Sequence, residues 1–138
     1  MTTQTLPGLA VLLVSGFLTF GDTQEDRYVG EWRGAYRGKV FVVLKLENKK
    51  GLRGSLGSGQ IHVGEDGLID EVGEEAGEPR PLIDVKLVGE KLSFRCKDSD
   101  GEIDHYEMKL TGESSAELRL LLVGLPEAVK PFTLKRSK

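Results

Sequence analysis

Residues 28–47 read YVGEWRGAYRGKVFVVLKLE, and the period of that stretch decides the fold. Up to Tyr36, the positions Tyr28, Gly30, Trp32, Gly34 and Tyr36 share one face, and Glu31, Arg33 and Ala35 share the other. A strand turns successive side chains to opposite faces, so this period of two predicts a strand with its aromatic face inward. Residues 39–47 repeat the pattern with Val40, Val42, Leu44 and Leu46 inside. Phe41 and Val43 fall on the opposite face, which predicts a strand covered on both sides. Asn48-Lys49-Lys50-Gly51 supplies a hairpin turn into residues 52–58, and residues 60–63 continue the ladder.

The same rhythm resumes at residues 82–88, 91–97, 102–110, 116–123 and 132–136. Short turns separate most of these runs: Gly89-Glu90, Asp98-Ser99-Asp100-Gly101, and residues 111–115. Turns this short join antiparallel neighbours. With no long helical pattern between strands, a parallel βαβ architecture is excluded. The reading is all-β: an antiparallel up-and-down barrel of about eight strands, with a β-sandwich as the alternative. Closing the sheet removes both of its edges, which would otherwise template aggregation.

Residues 64–79 interrupt the rhythm. They carry seven acidic side chains between Glu65 and Glu78 and no basic one. Leu68, Ile69, Val72 and Ala76 recur there at near-helical spacing, so a short helix and an irregular flap are both open. The functional expectation for this loop is a flap over the barrel mouth or a docking site for a basic protein partner.

All 19 Lys and Arg and all 22 Asp and Glu lie at residue 22 or beyond. Within the uncharged start, residues 9–20 (LAVLLVSGFLTF) form an apolar run followed by Gly21 and Asp22. An apolar core ending at a small residue predicts a secretory signal peptide over residues 1–21, and a single barrel domain over residues 22–138. The expected location is therefore periplasmic or secreted, with no membrane anchor, since no Cys follows the run. A net charge of −3 and a pI near 5.5 exclude electrostatic nucleic-acid binding, which needs a basic surface. Cys96 is the only cysteine, so stability must come from packing and the ladder, with Cys96 as a small buried residue.

Gly30-Glu31-Trp32 near the start and Arg136 near the end resemble the signature of lipocalins and the wider calycin group, and the chain is similar to small exported bacterial barrels. The resemblance implies that the basic residue of the last strand packs across the indole of the first. The physics is compatible, because an indole face offers a cation–π seat to Arg, and first-to-last pairing closes a barrel. From Asp98 onward, Asp-x-Asp-Gly-x-Ile-Asp-x-x-Glu resembles the later part of an EF-hand calcium loop, making Asp98 and Asp100 weak Ca²⁺ candidates. Cys96 occupies the first ligand position and suits a hard cation poorly. The competing reading is a hairpin tipped by Asp98 to Gly101.

No catalytic or cofactor motif stands out. His62 and His105 have no partner ligands at zinc spacing, the serines lack an elbow motif, and Gly54-x-x-Gly57-x-Gly59 is followed by neither Lys nor a helix start. The chain therefore reads as a non-enzyme without cofactor. Trp32, Tyr36, Phe94, Tyr106 and Met108, beside the small Gly34 and Gly54, would line a site for a small apolar or amphipathic ligand. The alternative is a solid interaction or inhibitor module, its centre filled by Val40, Val42, Leu44, Leu118, Leu120 and Leu122 and its partner met by the acidic loop.

Overall fold

The computed structural model describes residues 24–98, 100–121 and 129–137. The expected signal segment, Ser99 and residues 122–128, Leu122 among them, lie outside the described residues. Ten strands follow in order: β1 (Gly30–Tyr36), β2 (Lys39–Asn48), β3 (Leu52–Ser58), β4 (Gln60–Val63), β5 (Ile69–Glu74), β6 (Arg80–Val88), β7 (Lys91–Lys97), β8 (Ile103–Leu110), β9 (Ser115–Leu121) and β10 (Phe132–Arg136). Eight of them close into an antiparallel barrel in the order β1-β10-β9-β8-β7-β6-β3-β2, and β4 and β5 form a separate hairpin. First and last strands meet through the pairs Trp32↔Arg136 and Arg33↔Lys135.

Alternation sets the faces, and bulges reset them. Opposite Gly34 and Ala35, β2 carries one extra residue, Phe41, because Gly34 pairs with Val42 and Ala35 with Val40. A bulge puts two residues of one strand against one of the other and re-aims the extra side chain. Phe41 is consequently buried and packs edge-on against Phe132 with centroids 5.3 Å apart. The expectation that Phe41 faces away from Val42 is thus corrected.

Residues 64–79 contain no helix. Ile69 and Val72 lie in β5, and their spacing of three arises from register shifts at both ends of the β4–β5 ladder. Two bulges in a short strand mimic helical spacing in the sequence. Val72 is buried, with Ile61, Val63 and Ile69 packed against the same core, while Leu68 stays 54% exposed. The chain then crosses back over the end of β3. Gly59 makes that crossing possible, since a Cβ there would lie 1.9 Å from the Glu74 carbonyl oxygen. The crossing is held by the Gly59 amide on the Phe41 carbonyl at 2.8 Å and the Ala76 amide on the Val40 carbonyl at 2.9 Å.

One end of the barrel is shut by a 3-10 turn at Glu25–Tyr28, so β1 begins at Gly30 rather than at Tyr28. Tyr28 remains buried and its hydroxyl donates to the Glu90 carbonyl at 2.8 Å. Trp32 Nε1 donates to the Tyr28 carbonyl at 2.9 Å, and Asn48 donates to Asp26 at 2.8 Å. Above this plug the interior is filled, with Trp32, Leu44, Leu92, Phe94, Met108 and Leu134 fully buried.

Candidate functional site

The opposite end is different. A cavity of about 400 Å³ opens among β2, the end of β3, the start of β6, the β7–β8 turn, β8, β9 and the start of β10, with the β4–β5 hairpin as one wall. Its floor is apolar: Phe41 and Val42 from β2, Tyr106 from β8, Leu118 and Leu120 from β9, and Phe132 from β10. Its rim is charged, carrying Glu74, Glu75, Glu78, Asp98 and Asp104 against Arg80 alone among the described residues. Both layers follow from strand alternation. On β8 the inward positions are Asp104, Tyr106, Met108 and Leu110, so an acid, a phenol and two hydrophobes descend in turn from mouth to plug.

The carboxylates differ in their surroundings. The Asp98 carboxylate accepts the amides of Asp100 at 2.8 Å and Glu102 at 3.0 Å, fixing the β7–β8 turn. Residues 96–107 are therefore part of a hairpin rather than a calcium loop. Among the described residues no group of three or more His, Cys, Asp or Glu, around Asp98 and Asp100 or elsewhere, is placed to hold a metal ion. Asp104 is half-buried and forms no ion pair among the described residues. Burial, then the neighbouring Asp98 and Glu102, push its carboxyl above the usual range, against the opposing pull of His105. Burial likewise raises the Tyr106 phenol well above its ordinary value.

Of the five side chains proposed from sequence to line a ligand site, Tyr106 borders the cavity. Phe94, directly opposite Tyr106 on β7, is stacked on it at 5.4 Å and fully buried, and it does not line the cavity. Trp32 and Met108 belong to the filled half, and Tyr36 lies beside the β1–β2 turn with the Arg37 guanidinium 5.5 Å from its ring. Of the structural trio, Arg136 lies 4.4 Å over the Trp32 ring, and a Cβ at Gly30 would stand 3.3 Å from Arg136 Cδ. Cys96 is buried and free, its thiol pushed up by burial. His62 pairs with Asp70 at 2.6 Å on the exposed hairpin, whereas His105 is exposed on β8.

Sequence reasoning did not place Phe132, Gln60 or Ile61 at a ligand site; it met Asp104 only within the calcium-loop resemblance and Glu74 only within the acidic segment expected over the mouth. The signal for Asp104 was present: an acid on the same face of an alternating strand as Tyr106 and Met108. No protein-family model, curated protein or solved structure matches this chain.

Proposed function

We propose that the protein is an exported, non-enzymatic barrel that takes a small apolar or amphipathic ligand into its open mouth, as a carrier or a sensor. The observation that carries this reading is the cavity of about 400 Å³ over an apolar floor. Small-molecule sites commonly enclose roughly 300–1,000 Å³, with apolar walls and a few convergent polar groups. The filled half gives the floor rigidity, because closely packed interiors deform little. The uncharged apolar start of the chain supports export.

Titration with a neutral apolar dye such as Nile red tests the reading. One molecule is expected to bind per chain, and Leu120→Trp is expected to abolish binding while leaving the unfolding midpoint nearly unchanged. Leu120 is half-buried and faces the cavity, so the larger ring fills open space. Absence of dye binding to the unaltered protein would refute the carrier. It would favour the second reading, in which the acidic hairpin docks a basic protein partner through the exposed surface around Leu68.

A further inference from the structure

Among the described residues, two polar groups on the inward face of β8 stand without partners at the cavity. Asp104 and Tyr106 are two residues apart on one strand face, about 7 Å along the strand, and both line the cavity. Tyr106 is only 8% exposed and its ring is stacked on Phe94, yet its hydroxyl makes no hydrogen bond among the described residues. The hydroxyl is not itself fully buried, so it meets the open cavity at the end of an otherwise buried, stacked ring, where a ligand can replace water as its partner. Asp104 makes the same point with charge. It forms no ion pair among the described residues, and Asp98, Glu74, Glu75 and Glu78 on the same rim outnumber Arg80.

Resting on the ligand-binding reading above, we propose that the mouth binds a protonated primary amine carried on a short apolar body. The ammonium donates to the Asp104 carboxylate and to the Tyr106 hydroxyl oxygen, and the body lies on Phe41, Leu118, Leu120 and Phe132. An ammonium offers three donors and no acceptor, which matches a carboxylate and a phenol oxygen. Charge-assisted bonds of this kind are stronger than neutral ones. An alcohol of the same length would satisfy Tyr106 and leave the Asp104 charge uncompensated. A carboxylate would meet the acidic rim head-on.

Calorimetric titration at pH 7 with octylammonium, octanol and octanoate separates these cases. Octylammonium is expected to bind at least about tenfold more tightly than octanol, with octanoate weakest. Asp104→Asn is expected to bring octylammonium to the level of octanol while leaving octanol itself unchanged. Tyr106→Phe, which keeps the stack on Phe94, is expected to weaken octylammonium by a smaller factor. Equal affinity for all three compounds, tighter binding of octanoate, or an ammonium preference that survives Asp104→Asn would overturn the proposal and leave the carrier intact. Failure of all three to bind would remove the carrier reading as well.

Discussion

Replacing Arg136 by Ala probes the contact that closes the barrel. The guanidinium lies 4.4 Å over the Trp32 ring and donates to the Arg27 carbonyl, while its Nε is buried without a partner. A partly desolvated cation–π contact contributes about 1–2 kcal/mol, and a hydrogen bond from a charged donor roughly 1.5 kcal/mol or more. Relief of the unsatisfied Nε returns about 1 kcal/mol or more. The net expected loss is about 1.5–2.5 kcal/mol, or roughly 5–10 °C in Tm for a domain of this size. Urea unfolding followed by far-UV circular dichroism measures it, with the single Trp32 as an independent fluorescence reporter. Trp32→Phe completes a double-mutant cycle, and a coupling of about 0.5–1 kcal/mol is expected because the contact is direct. A loss below about 0.3 kcal/mol in Arg136→Ala, or additivity across the cycle, would refute the argument that this contact holds β1 to β10.

Two further expectations follow from local geometry. Gly34→Ala places a Cβ 2.7 Å from Val42 Cγ1 and 3.2 Å from Leu134 Cδ2, so it should cost about 1–3 kcal/mol by overpacking; an unchanged denaturation midpoint would show that the wall yields. Asp104→Asn tests linkage. Burial, aided by Asp98 and Glu102 and opposed by His105, raises the folded-state pKa of Asp104, so the folded protein holds that proton more tightly than the unfolded chain. Stability from this group is therefore greatest below the ordinary carboxylate range near pH ~4. It falls as pH rises from there through the raised value. The variant escapes the loss, and its advantage over the parent should grow across that window to about 0.2–1 kcal/mol, a solvent-screened charge effect. Thermal melts between pH 3 and 7 measure the difference, and an advantage independent of pH would count against a charged, unpaired Asp104.

The barrel was legible because most of its strands obey the period of two and are joined by short turns. Residues 28–47 alone predict two strands and their faces, and β7, β8 and β10 appear near their observed bounds. What escaped were the departures from that period. Phe41 turns inward only because β2 carries an extra residue opposite Gly34 and Ala35. Ile69 and Val72 share a face only because two bulges flank them. Such insertions become visible when the partner strand is known, and a single sequence does not name the partner. The site was half legible for a related reason. Alternation tells which side chains point inward and says nothing of their height along the barrel axis. Trp32 and Met108 point inward in the filled half, whereas Tyr106 points inward at the mouth. Height is set by register and by the 3-10 plug, both products of the closed fold.

The central claim is that a small molecule enters the mouth and rests on its apolar floor. Methyl-labelled protein titrated with octanol and followed by two-dimensional NMR tests it most directly. The account predicts saturable shifts at the methyls of Val42, Ile61, Leu118 and Leu120, which line the cavity, with those of Leu44, Leu92 and Leu134 in the filled half unmoved. Shifts confined to the exposed Leu68 and Val88, or none at any concentration short of unfolding, would contradict it.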